Sequence, residues 1–210
     1  EKFQNLPTEY SHLYMAIDNQ LAAVICIEDP LRPEAADAVR ALKAAGIRHV
    51  VMMTGDSERT AKAIAAKVGV DEYYAEVLPE DKAKFVEKEK AMGHKVVMIG
   101  DGINDSLALS SADVGIAISD GAEIAREIAD VTIAADDLRE VVTLKKLSNQ
   151  LMKRIHQNYR MIVGFNAGLI ALGVGGIIPP TTSALLHNTS TIAISLRSMG
   201  NLLEDSEETI

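Results

Sequence analysis

Between residues 22 and 140, short apolar runs alternate with amphipathic stretches. The runs at 22–27, 49–53, 95–99 and 114–118 are rich in Val, Ile and Met and have strand length. Between them the apolar positions fall at helical intervals. Residues 33–45 begin on Pro33, a favourable first-turn residue, and carry Ala36, Val39, Arg40 and Leu42 on a near-helical spacing. They stop at Gly46, suited to the left-handed position past a helix end. Ser57 is placed to cap a helix through Ala61, Ile64, Ala65 and Val68 that stops at Gly69. Pro79 opens a charged stretch that ends near Gly93. Apolar strands alternating with helices predict βαβ units around a buried parallel sheet, a doubly wound α/β domain. Residues 12–18 read as one further strand, the end of a preceding element.

The pattern changes past Asp137. Residues 138–160 hold no Gly or Pro and are helical in composition. Residues 161–178 are uncharged, include five glycines and would span about 27 Å as a helix. Pro179-Pro180 breaks the run, and 181–196 is uncharged again. Together they predict a two-helix transmembrane hairpin. Its first helix sits at the length threshold, and its second reaches full length only by running on to Leu203. Frequent glycine suits close helix packing in lipid. The alternative is a buried core hairpin.

Charge sharpens this division. The chain carries 21 basic and 30 acidic side chains, a formal net charge of −9. Yet 141–203 contains Lys145, Lys146, Lys153, Arg154, Arg160 and Arg197 and no Asp or Glu. Five of these precede the first uncharged run and Arg197 follows the second, as the positive-inside rule expects of a hairpin. Aromatics are 4% of residues with no Trp, so no stacking surface for single-stranded nucleic acid is expected and nucleic acid is not a partner. The lone Cys26 excludes an internal disulfide and a multi-thiolate zinc site. It lies on a predicted buried strand, where a free Cys acts as a small apolar residue. Residues 1–7 have no signal-peptide pattern, and a start at Glu1 rather than Met marks the chain as an expected fragment.

Three segments carry candidate chemistry, each read as lying at the carboxyl end of a predicted strand, where ligands bind in open α/β sheets. Thr54-Gly55-Asp56 offers a hydroxyl and backbone N–H groups to phosphate oxygens; an ordinary turn with a helix cap reads the same way. Gly100-Asp101-Gly102-Ile103-Asn104-Asp105 sets two carboxylates four residues apart beside glycines. That suits magnesium, which takes few protein carboxylates and completes its shell with substrate phosphate. Lys82, near the start of a helix, is placed to neutralise phosphoryl charge; alone it reads equally as a solvated side chain. The set forms the later part of a phosphoryl-transfer site without its nucleophile. Asp18 follows a strand but lacks the Thr or Gly-Thr surroundings of a phosphorylated carboxylate.

The runs Met53-Thr54-Gly55-Asp56, Leu78-Pro79-Glu80-Asp81-Lys82, Met98 to Asp105 and Ala112-Asp113-Val114-Gly115-Ile116-Ala117 resemble the phosphorylation domain of P-type cation-transporting ATPases. That domain is of the haloacid-dehalogenase superfamily, with a Rossmannoid parallel sheet. Asp29-Pro30-Leu31-Arg32-Pro33 resembles the segment where it resumes after a nucleotide-binding insertion. The match covers about residues 22–200, and the two uncharged runs fall where the heavy-metal branch has its last two membrane helices. The resemblance implies that Thr54 and Gly55 hold a phosphoryl group, with Asp56 in the same loop. It implies that Lys82 stabilises an aspartyl phosphate and that Asn104 and Asp105 support phosphate and metal. Asp101 and Asp105 would bind magnesium, and Gly100 and Gly102 would admit ligand to the loop. Cofactor Mg²⁺ and substrate ATP follow. Two departures stand out: the Asp-Lys-Thr-Gly-Thr segment is absent, and the motif ending Ala-Pro reads Ser106-Leu107.

The implied organisation is 1–21 as the end of a preceding nucleotide-binding domain and 22–140 as the C-terminal part of the phosphorylation domain. A basic connecting helix (141–160), a transmembrane hairpin (161–203) and an acidic tail (204–210) follow. The chain is expected to be the C-terminal part of a pump in a bacterial plasma membrane, α/β domain cytoplasmic, with its missing N-terminal part and the lipid membrane as partners. Alone it is expected to be inactive. Polar side chains in the uncharged runs are candidates for the transported ion: Asn166, His187, Asn188 and Ser190, with Thr191 a turn from His187. Imidazole with oxygen donors favours zinc or manganese over copper; hydrogen-bonded packing is the competing reading. A soluble haloacid-dehalogenase phosphatase and a non-catalytic membrane relic are the alternative functions.

Overall fold

Asp71, Asp113 and Asp130 occupy similar places in three crossovers, each just before a parallel strand and each tied back to the strand it pairs with or to the residue before that strand. The Oδ2 of Asp71 accepts from the Val50 amide (2.8 Å), that of Asp113 from Val96 (3.0 Å) and that of Asp130 from Gly115 (2.8 Å). Lys43 and Lys95 complete the first two, 2.7 and 2.8 Å from Asp71 and Asp113. The lysine, and then the strand amide, hold both carboxyls below their usual range.

The computed structural model describes residues 11–27, 30–101, 104–118, 127–133 and 137–202. The chain divides into two units, 1–142 and 143–210. In the first, β3 (Val51–Met53) pairs in parallel with β4 (Glu72–Tyr74). A second parallel sheet has the order β5-β6-β7, from Val97–Gly100, Val114–Ile118 and Val131–Ile133. The helices are α1 (Ala35–Ala44), α2 (Glu58–Val68), α3 (Pro79–Ala91) and α4 (Ser106–Ser111). Ser57 caps α2 through the Thr60 amide, and Gly69 ends it at φ 79°, as the sequence predicts. Val86 of α3, Met98 of β5 and Ala108 and Leu109 of α4 form a buried cluster, with Met53, Ala83, Val96, Ala112 and Ile128 against it. The α/β class with parallel strands is as expected.

The run at 22–27, expected among the buried parallel strands, lies elsewhere, and Cys26 on it is exposed. It is part of β2 (Gln20–Ile27), antiparallel to β1 (Ser11–Ile17). Asp18 and Asn19 both take positive φ, 50° and 61°, which closes a two-residue hairpin. This hairpin runs across the expected boundary at 21/22.

α5 (Arg139–Val174) starts in the first unit, where Val141 and Val142 are buried. In the second unit it is joined by α6 (Pro180–Ser198). The expected first span is shortened. Ile177 donates to the Leu172 carbonyl (2.9 Å) and Gly176 turns at φ 71°, so the helix stops at Val174 instead of running to 178. Its uncharged portion is then 161–174, about 21 Å. Among the described residues no helix is long and apolar enough to cross a membrane. α5 and α6 form an antiparallel pair: His187 meets Asn166, and Asn158 donates to Ser198 Oγ at 2.6 Å.

Candidate functional site

The candidate residues stand on two loops, at the ends of β3 and β5, and on the first turn of α3. Thr54 continues β3: its amide donates to the Tyr74 carbonyl (3.0 Å) and its carbonyl accepts from Val77 (3.0 Å). Its hydroxyl donates to Asp56 Oδ2 at 2.7 Å and accepts from the Asp56 amide at 3.1 Å. Asp56 is held in turn by the Glu76 amide on its carbonyl (2.9 Å). Glu76, at φ 53°, is a contributor that no sequence signal marks, because it is a non-glycine in a left-handed turn. Gly55 is exposed at the tip of this loop.

Pro79 at the start of α3 places Lys82 in the first turn. The Lys82 Nζ donates to Asp105 Oδ1 at 2.7 Å, and both side chains are largely buried. Asp105 sits at the amino end of α4, yet its side chain does not cap that helix and turns to Lys82 instead. Gly100 makes this possible. A Cβ at Gly100 would lie 2.5 Å from Asp105 Oδ2 and 2.7 Å from its Cβ. Glycine is therefore required there by close approach, not by backbone angle. Asp101 and Asn104 are exposed beside it. Gly102, like Asp29 of the earlier motif, lies outside the described residues. Lys82 and Asp105, 23 residues apart, are thus brought together, while Asp101 and Asn104 flank them in sequence.

The donor set suits a hard cation. Asp101, Asn104 and Asp105 can each offer a side-chain oxygen. Two carboxylates are few for an all-protein cage; among the described residues no three His, Cys, Asp or Glu side chains cluster for a metal. That pattern matches an ion that keeps waters and substrate phosphate in its shell.

In the second unit His187 Nδ1 lies 2.8 Å from Asn166 Oδ1. Ser190 and Thr191 both donate their hydroxyls to the His187 carbonyl, at 2.8 and 3.0 Å. Asn188 is exposed and takes no part in this contact. Two of the four candidate ion ligands are thus joined side chain to side chain.

Residues 2–113 match the family described as haloacid dehalogenase-like hydrolase, and the chain belongs to it. Within that family it is similar to metal-transporting P-type ATPases. A manganese-exporting P-type ATPase of Mycobacterium leprae (strain TN) is 43% identical over 87% of this chain. A zinc-exporting P-type ATPase of Mycobacterium marinum is 42% identical over the same share. Copper-transporting ATPase 2 of Rhizobium meliloti is 41% identical over 92%. The chain spans about a quarter of the length of these relatives: 25%, 25% and 24%. The crystal structure of a zinc-transporting PIB-type ATPase in the E2.Pi state superposes with a TM-score of 0.80 at 30% identity, covering 94% of this chain and 32% of that one.

Proposed function

We propose that the chain is the C-terminal part of an ATP-driven heavy-metal cation transporter, in which aspartyl-phosphate formation and hydrolysis drive a metal ion across a membrane. The observation that carries this reading is the largely buried Lys82–Asp105 pair, which holds a cation and a carboxylate 2.7 Å apart. In the reaction a carboxylate oxygen attacks the γ-phosphorus of ATP, the bond to ADP breaks, and water later cleaves the acyl phosphate.

Thr54 and Gly55 hold the phosphoryl group through hydroxyl and backbone N–H, and Asp56 fixes the Thr54 hydroxyl. Lys82 neutralises phosphoryl oxygen charge at both steps. Asp101 and Asp105 would hold Mg²⁺, which supplies positive charge to the transferring group when bound. Asn104 hydrogen-bonds the phosphate, and Gly100 and Gly102 let it approach. No Asp-Lys-Thr-Gly-Thr occurs in these 210 residues, so the carboxylate that is phosphorylated comes from elsewhere in a longer protein. Alone, this chain is inactive.

The organisation that accompanies this reading has 1–21 closing a nucleotide-binding domain and 22–140 completing the phosphorylation domain. Residues 141–160 connect to a membrane hairpin at 161–203, followed by a tail at 204–210. The protein sits in a bacterial plasma membrane with the α/β domain cytoplasmic. What supports the hairpin is the uncharged run and its basic flanks, not helix length. Asn166, His187, Asn188 and Ser190 line the ion path, and their nitrogen and oxygen donors favour zinc or manganese over copper. The test is metal-stimulated ATP hydrolysis by the longer protein. Zinc or manganese should stimulate it, and His187→Ala should abolish the stimulation. Undiminished stimulation in that variant removes His187 from the path, and no stimulation by any of the metals rejects transport.

A further inference from the structure

Lys146, Gln150, Lys153, Gln157 and Arg160 recur along α5 at intervals of three and four and share one face. Leu151, Ile155, Tyr159 and Ile162 fall on the other side of the helix and are exposed. No Asp or Glu occurs from 141 to 203, and the acids resume at Glu204. Lys153 and Arg160 are exposed, and no hydrogen bond or ion pair engages either among the described residues. On this face lies a cavity of about 160 Å³ lined by Gln150, Lys153, Arg154, Gln157 and Leu202.

Its wall is fixed by the end of α6. The Arg154 guanidinium donates to the carbonyls of Ser198 (3.1 Å) and Asn201 (2.6 Å) and to that of Gly200. Arg197 reaches Gln157 Oε1 at 3.5 Å. Arg154 is therefore held in place by neutral carbonyls. Two cations and two amides, with a single apolar residue among the lining, suit a singly charged phosphate diester. A water's share of liquid is about 30 Å³, so the space exceeds one solvent molecule.

The geometry points to a binding site for the phosphate of an anionic phospholipid headgroup. It rests on the reading of 161–203 as a membrane hairpin. The uncharged run begins one turn beyond Gln157, which places the cavity where a span meets its headgroups. Basic pockets at that level bind anionic headgroups, and basic residues near the surface each contribute about fivefold in affinity.

The test uses the longer protein, purified in detergent, offered equal phosphatidylcholine and phosphatidylglycerol and analysed by native mass spectrometry for retained lipid. With Lys153 and Arg154 both lining the cavity, phosphatidylglycerol should be retained about 25-fold over phosphatidylcholine. Lys153→Gln should cut the ratio about fivefold, leaving the preference that Arg154 supplies. Lys145→Gln, which removes the same charge from a residue bonded to Asn149 and outside the cavity, should leave it unchanged. Equal retention in the parent protein, or equal losses in the two variants, overturns the site. Displacement by millimolar inorganic phosphate would assign it to a free anion and overturn the lipid. Metal-stimulated ATPase measured on the same sample separates the two readings: stimulation without lipid preference rejects only this site, whereas neither result rejects both.

Discussion

The Nζ of Lys82 lies 2.7 Å from Oδ1 of Asp105, with 14% and 12% of the two side chains exposed. The first turn of α3 and the loop after β5 are thereby joined across 23 residues of sequence. The pair is dry enough for its charges to matter and close enough to solvent for an anionic substrate to compete for the lysine.

Lys82→Met leaves the Asp105 carboxylate buried without its cation. Breaking a fully buried pair costs about 3–5 kcal/mol; with this residual exposure about 2 kcal/mol is expected. Urea denaturation should show a lowered midpoint with an unchanged slope. Adding Asp105→Asn should recover part of the loss, because the two effects are coupled. Strict additivity would place the residues outside one network.

Gly100→Ala forces a methyl to within 2.5 Å of Asp105 Oδ2, so Asp105 must move from Lys82. About 1–3 kcal/mol of stability is lost as overpacking, and phosphoenzyme formation by the longer protein falls with it. At Gly55 a Cβ meets nothing within 4 Å and no positive φ is required, so Gly55→Ala should leave the denaturation midpoint where it is. Equal destabilisation by the two alanines would contradict the close-approach account.

Thr54→Val removes both hydrogen bonds between the Thr54 side chain and Asp56. Thr54→Ser keeps them. The longer protein should lose phosphoenzyme by about tenfold or more with Val, the cost of about 1.4 kcal/mol at the transition state, and stay within a few-fold with Ser. Equal activity of the two variants would mean that the hydroxyl is not used.

The carboxyls of Asp71 and Asp113 lie below their ordinary value of 3.8 when folded. Such groups stabilise the fold fully above that unfolded value, and their contribution is lost as pH falls through the folded one. Stability of the α/β unit should therefore be flat from pH 7 to about 5 and decline below about 4. Asp113→Asn keeps an oxygen for the Val96 amide but cannot pair with Lys95, so its acid limb should be shallower. Denaturation midpoints at a series of pH values read this directly, and an identical limb in the variant would remove the Lys95–Asp113 pair from the explanation.

Local chemistry made much of this legible. Ser57, Gly69 and Pro79 end or start their helices where residue type predicts, and the two loops follow strands found from their Val and Met runs. β4 escaped because Glu72-Tyr73-Tyr74 presents no apolar run, and β7 because Val131-Thr132-Ile133 is only three residues long; their pairing comes from crossovers tied by Asp71 and Asp130. The hairpin escaped because its register depends on left-handed Asp18 and Asn19, which residues of that type adopt only in some turns. For the site, residue types and spacing pointed to the loops. That Lys82 would meet Asp105, and that Gly100 is the reason it can, depends on packing of α3 beside α4 and on no periodicity along the chain.

The central claim is that these residues serve an aspartyl phosphate whose carboxylate lies outside the 210 residues. The most direct measurement is incorporation of label from [γ-³²P]ATP, with magnesium present, into acid-precipitated protein. The longer protein should take up hydroxylamine-sensitive label, Lys82→Met should reduce it, and the 210-residue chain alone should take up none. Label on the isolated chain, or none on the longer protein, would contradict the account.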